Sequence, residues 1–97
     1  MITISSYYGN NPASEGNAKK VSIAGTSFFF SYDTLVAVRD MNGLKVLKNT
    51  FSTTTAKHLN AIDGGSKEAK ASRMNDDEFE AYVSQLQIAS VLKSAFN

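Results

Sequence analysis

The sequence predicts an α+β domain, in which an antiparallel sheet of about four strands is packed by two helices. Three observations support this class. Apolar residues in the N-terminal half alternate with the period of two that is typical of half-buried strands. The pair Asn42-Gly43 separates two runs rich in strand-forming residues. Two later stretches carry the start signals of helices, at Ser52 and at Asn75.

The predicted strands begin at the N-terminus. Apolar and polar residues alternate over residues 2–6 and again over residues 20–23, which predicts two short strands. Residues 8–17 between them are rich in Gly and Asn and include the only Pro of the chain, so they predict a long loop. Residues 28–32 form either a strand of their own or the start of one long bent strand, with residues 33–34 as the bend.

The pair Asn42-Gly43 predicts a two-residue type I′ hairpin turn, because both central residues of that turn need a positive φ. The register that follows has two apolar pairs and one pair of opposite charge: Met41 with Leu44, Val38 with Leu47, and Asp40 with Lys45. Residues 35–38 are apolar without interruption, which predicts that both faces of this strand are covered and that it lies inside the sheet.

The first helix is predicted to begin at the hydroxyl cluster of residues 52–55, with Ser52 as the N-cap, and to end at Gly64-Gly65. Three consecutive Thr residues are tolerated better in a first turn than deeper in a helix. The second helix is predicted over residues 76–94, because Asn75 is an N-cap residue and Glu78 stands where it can complete a capping box.

The second helix carries two apolar stripes that lie about half a turn apart. The first runs from Phe79 to Leu86, and the second begins at residue 88. One straight helix cannot press both stripes against a small core, so either the helix bends between residues 85 and 90 or the second stripe meets another chain. We favour the second alternative, which predicts a homo-oligomer, most simply a dimer. The residues that would make this contact, within a tail of residues 88–97, are Ile88, Val91, Leu92 and Phe96.

Composition limits the classes of protein to which the chain can belong. Its 97 residues, of which 42% are hydrophobic and 20% charged, predict one folded domain over residues 1–97. There is no Cys, which excludes disulfides and thiolate chemistry. No signal-peptide pattern and no apolar run of membrane-spanning length stand out. We therefore expect a protein of the cytoplasm with no membrane partner.

Catalysis, metal binding and cofactor binding are all disfavoured. His58 is the only imidazole, no acidic partner for it is placed by the local sequence, and no nucleophile elbow precedes Ser52. His58 and Asp63 are five residues apart, and no calcium-loop spacing occurs. We expect no enzymatic activity, no metal and no cofactor, and an enzyme that acts through His58 is the least favoured alternative.

An anion site at the start of the first helix is a weak candidate. The first N–H groups of a helix are unpaired and its N-terminus is electropositive, so nearby hydroxyls and a cation can hold an anion there. The alternative, which we favour, is a capped helix start with His58 packed beside Ile62. The residues of the candidate anion site are Ser52, Thr54, Thr55, Lys57 and His58.

Nucleic-acid binding is an alternative supported by charge and by aromatic residues that could be exposed, such as Tyr7, Tyr8 or Phe29. The net charge is +1, but residues 19–73 hold nine Lys or Arg residues against four acidic ones. No RNA-binding or DNA-binding motif accompanies these charges, so we do not favour this function. The basic face would be made by Lys45, Lys48, Lys57, Lys67, Lys70 and Arg73.

Two short motifs resemble a known family. Residues 31–37 contain Tyr-x-Thr-x-Val-Ala, and residues 51–60 contain Ser-x-Thr-Thr-x-Lys-His. Together they resemble small uncharacterised proteins of tailed bacteriophages, over about residues 28–83. The N-terminal loop and the tail after Leu86 depart from that pattern.

The resemblance implies a viral protein made in the bacterial cytoplasm, and it carries over no catalytic residue. We therefore expect a non-enzymatic protein that binds and inhibits a host defence protein, as anti-CRISPR proteins do.

Overall fold

The computed structural model describes residues 2–8, 18–48 and 53–86. Within these ranges the chain forms an antiparallel sheet and three helices, which confirms the α+β class. The strands are β1 (Ile2–Ser6), β2 (Ala18–Ile23), β3 (Thr26–Ser31), β4 (Thr34–Asp40) and β5 (Gly43–Val46). The helices are α1 (Thr53–Asp63), α2 (Lys67–Ala71) and α3 (Asp76–Ser84).

The sheet is a meander in which each strand pairs with the next one along the chain, in the order β1-β2-β3-β4-β5. It has five strands rather than about four, because residues 26–31 form a strand of their own that is separated from β4 by a turn. The third helix, α2, was not predicted either. With five residues it is too short to show a helical period, although Ser66 accepts a hydrogen bond from the amide of Ala69 as its N-cap.

Strand β4 lies inside the sheet, as predicted from its uninterrupted apolar run. Val36, Ala37 and Val38 are fully buried, and β4 pairs with β3 on one side and β5 on the other. A β-bulge shifts the register between Phe29 and Phe30, so that two neighbours in β3 face residues two apart in β4. Because consecutive residues of β4 are buried although they point to opposite faces, both faces of the sheet contribute to the core at this strand.

The predicted register across Asn42-Gly43 is wrong. Asp40 lies opposite Gly43 and Val38 opposite Lys45, so the pairs of Met41 with Leu44, Asp40 with Lys45 and Val38 with Leu47 do not form. The Asp40 carboxylate accepts a hydrogen bond from the Asn42 amide at 2.8 Å, and Gly43 alone supplies the positive φ, at 105°. This side-chain cap replaces the type I′ turn. Since the shift is two residues, every side chain keeps its predicted face.

Helix α1 begins at Thr53, within the hydroxyl cluster, and ends at Asp63, as predicted. Gly64 and Gly65 follow with φ values of 88° and 66°, the left-handed conformation that commonly ends a helix. At Gly65 a Cβ atom would stand only 2.8 Å from the Asn60 side chain, so a larger residue would require that side chain to move. The predicted N-cap, Ser52, lies outside the described residues.

Helix α3 begins as predicted and ends earlier. Asn75 and Glu78 form the full capping box, each side chain bonding the other's backbone amide. The helix was expected to reach residue 94, but it ends at Ser84, where the amides of Gln85 and Leu86 bond back only three residues. This tighter turn lets the half-buried Leu86 pack on the core. The predicted self-association residues, Ile88, Val91, Leu92 and Phe96, lie outside the described residues.

Two helices lie on opposite faces of the sheet. Helix α1 places His58 against Ser31, which shares its face with Phe29. Helix α3 places Tyr82 against Asp40 and beneath Lys45, which lie on the face of Val38. The core therefore has two layers, one on each side of the sheet. None of the described helices is long and apolar enough to cross a membrane.

The two outer strands of the sheet differ in how they are covered. Met74 lies beside the end of β5 in a short parallel bridge, where its amide bonds Val46 and its carbonyl accepts from Lys48 at 2.6 Å. Strand β1 pairs with β2 on one side, and no other described segment pairs with its outer side. Its five residues are all exposed.

Candidate functional site: a tyrosine cluster around His58

The single histidine of the chain lies at the centre of a buried polar network. His58 on α1 is 1% exposed, and its Nδ1 lies 2.7 Å from Oγ of Ser31, the last residue of β3. The same Ser31 oxygen lies 3.1 Å from Oγ1 of Thr55, one turn earlier on the helix. Spacing of three residues places Thr55 and His58 on the same face of α1, which is the face turned to the sheet.

Burial lowers the pKa of His58 below its usual value of 6.5, because the charged imidazolium is poorly solvated in the interior. The neutral imidazole is therefore the resident form near neutral pH. Ser31 can serve Nδ1 as a donor or as an acceptor, depending on which ring nitrogen carries the proton. Among the described residues, no buried side-chain nitrogen or oxygen lacks a hydrogen-bond partner.

Three tyrosine rings surround this histidine. The ring centroids of Tyr7, Tyr8 and Tyr32 lie 6.0, 5.0 and 6.0 Å from that of His58. Tyr7 and Tyr8 meet the imidazole edge to face, as aromatic pairs prefer, whereas Tyr32 is tilted at 44°. We call Tyr7, Tyr8 and Tyr32 the tyrosine cluster. It lies at the end of the sheet where β1 ends and where β3 turns into β4.

The rings of the cluster are held by contacts beneath them. Tyr7 donates its hydroxyl proton to the carbonyl of Phe30 at 2.7 Å and stacks edge to face on Phe29 at 5.4 Å. Burial raises the pKa of Tyr7 far above its usual value, so its hydroxyl stays protonated and remains a donor. Tyr7 is therefore held in place between Phe29 and His58, while Tyr8 and Tyr32 contact the imidazole.

Tyr32 is the exposed member of the cluster. Its side chain is 48% exposed, and its backbone has φ of 57°, in the left-handed region. That conformation costs about 1–2 kcal/mol for a residue with a side chain, and glycine would avoid the cost. A bulky aromatic residue is thus held at a strained turn with half its surface in solvent.

Solvent does not reach the two side chains of this site that could react. The hydroxyl of Ser31 and the imidazole of His58 form a pair that resembles a nucleophile and its base, but Ser31 is 2% exposed and His58 1%. Both groups are enclosed by their own partners and by the rings above them. The part of the site that solvent and a partner can reach is aromatic and hydroxylic.

The structure does not bring the candidate anion-site residues together. Thr55 and His58 are buried against the sheet, while Thr54 and Lys57 face solvent on the other side of α1. Ser52 lies outside the described residues. The anion site therefore stays a prediction, and its histidine is engaged elsewhere as a neutral group.

Two of the six residues of the candidate basic face, Arg73 and Lys45, are engaged in contacts within the protein. Arg73 bonds the carboxylate of Asp63 with two nitrogens, at 2.8 and 2.9 Å, and a third bond joins it to Asn60. Burial by itself would raise the pKa of Asp63, but the hydrogen bonds from Arg73 and the Gly65 amide lower it overall. The Lys45 ammonium lies over the ring of Tyr82, 5.7 Å from its centroid. The remaining members are exposed: Lys48, Lys57, Lys67 and Lys70.

Sequence reasoning singled out Thr55 and His58, and it named Tyr7 and Tyr8 only as exposed aromatics for a nucleic acid. It missed Ser31 and the contact of three tyrosines with His58. Phe29, which was named with Tyr7 and Tyr8, is buried. Ser31 is 27 residues from His58 along the chain, and no local pattern indicates such a contact. The alternation of β1, continued to Tyr7, is the one signal that could have placed a tyrosine on the same face as Phe29. In the described residues, no group of three or more His, Cys, Asp or Glu residues could hold a metal ion.

Comparison with known protein families gives a match over most of the chain. Residues 2–81 match a family of unknown function, DUF8033. The match covers every described strand and both of the first two helices, and it includes Ser31, His58 and the tyrosine cluster. No curated protein and no solved structure matches the chain.

Proposed function

The chain belongs to the DUF8033 family of unknown function, and from its own surface we propose that it is a non-enzymatic binding protein. Its partner would be a host defence protein that it inhibits, as an anti-CRISPR protein inhibits its target. The tyrosine cluster would be the surface that binds this partner.

The composition of the cluster supports a protein partner. Tyrosine offers a large apolar ring and a polar hydroxyl with few rotatable bonds, and it is enriched at the centres of protein interfaces. Tyr7, Tyr8 and Tyr32 rest on a buried network that fixes the position of the ring beneath them. A surface that is already ordered loses little entropy on binding.

The single observation that carries the proposal is the conformation of Tyr32. This residue keeps its aromatic side chain 48% exposed at a turn position with φ of 57°, where folding alone would favour glycine or asparagine. Strained backbone that persists at an exposed aromatic residue is typical of functional sites. Partner binding is the use to which an exposed ring of this kind is best suited.

The viral part of the proposal rests on the two motifs in residues 31–37 and 51–60, which resemble proteins of tailed bacteriophages. Tyr32 and His58 are the aromatic members of those motifs. A small viral protein whose only imidazole is buried in a structural network acts most simply by occupying a surface of its target.

The experiment compares the tagged wild-type protein with two variants in bacterial cells. Tyr32→Asn removes the ring and keeps a residue that tolerates the left-handed conformation. Met41→Asn changes a fully exposed side chain at the next turn, at the opposite end of the sheet. Two readouts are measured: capture of a single host protein in stoichiometric amount, and restored plating of a phage that the host defence excludes.

We expect the wild type and Met41→Asn to capture the protein and restore plating, and Tyr32→Asn to lose at least tenfold in affinity, which corresponds to about 1.4 kcal/mol. Equal capture by all three proteins would contradict a role for the tyrosine cluster. If no host protein is captured and plating is unchanged, the proposed function is wrong. Retention of DNA or RNA that disappears steeply with added salt would instead favour a nucleic-acid partner.

A further inference from the structure

Strand β1 lacks the features that usually keep an outer strand from pairing. Its residues Ile2–Ser6 include no charged residue and no proline, and its register with β2 runs without a bulge. Outer strands with free backbone groups are templates for pairing with another strand unless such features protect them. The opposite outer strand, β5, is partly covered by Met74.

The outward backbone groups of β1 can be assigned from one hydrogen bond. The amide of Tyr7 donates to the carbonyl of Ala18 at 3.2 Å, so Tyr7 directs its backbone groups toward β2. In an antiparallel pair this direction alternates along the strand. Ser5 and Thr3 therefore also face β2, while Ile2, Ile4 and Ser6 direct their N–H and C=O groups away from the sheet.

On one face of the sheet, a row of apolar side chains runs across the strands and ends at β1. Ile4 lies opposite Val21, which lies opposite Phe28, which lies opposite Val38. Val21, Phe28 and Val38 are at most 2% exposed, whereas Ile4 is 61% exposed. An apolar row that crosses four strands thus ends in an exposed isoleucine, at the edge whose outward backbone groups pair with no other described strand.

We infer that β1 pairs with β1 of a second copy of this chain, antiparallel, with Ile4 at the two-fold axis. Ile4 then lies opposite the partner's Ile4, Ile2 opposite the partner's Ser6, and Thr3 opposite the partner's Ser5. All five residues of each strand are paired, and the two sheets join into one sheet of ten strands. The apolar row continues across the axis, which covers the exposed isoleucines.

The charges near β1 favour a second copy over a charged partner strand. Lys19 and Lys20 of β2 lie opposite Ser6 and Ser5. With strand spacings of about 4.8 Å and a rise of about 3.4 Å per residue, the Cα atoms of Lys20 in the two copies are about 16 Å apart, and those of Lys19 about 20 Å. These separations exceed the Debye length of about 8 Å, so the repulsion is screened. A charged strand would lose solvation beside the neutral side chains of β1 without gaining an opposite charge.

The dimer should be weak enough to dissociate on dilution. Pairing of two five-residue strands buries less area than the roughly 1,200 Å² of a stable interface. Sedimentation is therefore measured from about 10 µM to about 1 mM, where such interfaces are expected to form. We expect the wild type to pass from monomer to dimer over this range.

A charge variant tests the position of the axis. Ile4→Lys places two ammonium groups opposite each other at the axis, and it should raise the dissociation constant at least tenfold. Met41→Lys adds the same charge at a fully exposed turn and should leave dimerisation unchanged. Because both positions are exposed, both variants should fold, which circular dichroism checks.

The register is tested by cross-linking, since the chain has no cysteine of its own. The Thr3→Cys and Ser5→Cys variants are mixed and oxidised. In the inferred register these positions form a non-hydrogen-bonded pair with Cα atoms about 4.5 Å apart, within disulfide reach. The mixture should give the cross-linked heterodimer, while a mixture of Thr3→Cys with Met41→Cys should not.

Two results would overturn the inference: a wild type that stays monomeric up to about 1 mM, or a dimer that Ile4→Lys leaves intact. Cross-linking of the control mixture to the same extent would show that the register is wrong. None of these outcomes bears on the proposed function, because the target-binding test alters Tyr32, at one end of the sheet, and leaves β1 unchanged.

Discussion

The hydroxyl of Ser31 lies 2.7 Å from Nδ1 of His58 and joins the end of β3 to the middle of α1. Both residues are buried, and Thr55 completes the network at 3.1 Å from the same hydroxyl. The network ties the first helix to the sheet at the point where the tyrosine cluster rests on the imidazole. Stability and the shape of the candidate binding surface are therefore coupled at this bond.

Substitution of Ser31 should show how strong this coupling is. Ser31→Ala removes the hydroxyl that lies 2.7 Å from the buried Nδ1 of His58, so we expect a loss of about 1–3 kcal/mol in the free energy of unfolding. The control is Ser22→Ala, which breaks the half-buried bond of 3.1 Å between Ser22 and Ser27. It should cost about 1 kcal/mol or less. Urea denaturation measures both, and equal losses would contradict the importance of the Ser31 bond.

The stability of the protein should fall in mild acid because of His58. Burial lowers the folded-state pKa of this residue below 6.5, so the unfolded chain binds a proton first as the pH falls. The contribution of His58 is present above about pH 6.5 and is lost as the pH falls through the lower folded-state pKa. His58→Gln removes the titration, so its unfolding free energy should change less between about pH 7 and pH 5. If the unfolding free energies of the wild type and of His58→Gln fall with pH at the same slope, His58 is excluded as the cause.

Arg73 should act on stability rather than on nucleic-acid binding. Its side chain and that of Asp63 are 7% and 6% exposed, and two hydrogen bonds join them. Arg73→Ala leaves a nearly buried carboxylate without its partner, which should cost about 3–5 kcal/mol. The control Lys70→Ala removes an equal charge from an exposed position of α2 and should change stability by less than about 0.5 kcal/mol. Thermal unfolding of the two variants distinguishes these outcomes.

The Arg73 substitution should also change the response to acid. The folded-state pKa of Asp63 lies below 3.8, so its stabilising contribution is present above that pH and is lost as the pH falls through the folded-state value. Without the guanidinium, burial raises the folded-state pKa of Asp63, so Asp63 should contribute less to the loss of stability in acid and the unfolding free energy of Arg73→Ala should fall less steeply as the pH drops below about 4. An acid unfolding curve of Arg73→Ala that coincides with that of the wild type would contradict this.

Two residues with positive φ allow strain to be separated from function. Ala24 and Tyr32 have φ of 50° and 57°, at turns on opposite ends of the sheet. Ala24→Gly should stabilise the protein by up to about 1 kcal/mol, because glycine adopts this conformation freely. Tyr32→Gly gains the same relief but loses the contact of its ring with His58, so its stability should change by less than about 1 kcal/mol.

Target binding should respond differently in the same pair of variants. Ala24→Gly should bind the captured host protein as the wild type does, whereas Tyr32→Gly should lose at least tenfold in affinity. Binding measured by calorimetry with the purified target decides between these. Loss of binding in both variants would indicate that the general stiffness of the turns, and not the ring of Tyr32, is what the target requires.

The sequence predicted local features well and contacts between distant residues poorly. The N-terminal end of α1, its termination at Gly64 and the capping box at Asn75 were all predicted. The hairpin register failed, because an Asp side chain capped the turn in competition with the backbone preference of Asn-Gly. Thr55 and His58 were named for a candidate anion site, whereas the favoured alternative packed His58 beside Ile62; both Thr55 and His58 face the sheet.

By itself, the sequence determined most of the strands and helices and where the two longer helices begin, because those choices depend on interactions within about four residues. Only the tertiary structure decided that Ser31, His58 and three tyrosines meet, since Ser31 and His58 stand 27 residues apart along the chain. It also decided that a buried apolar row ends in an exposed isoleucine, Ile4. Such contacts depend on how strands and helices pack, and packing depends on many weak interactions whose sum is not encoded in any short stretch.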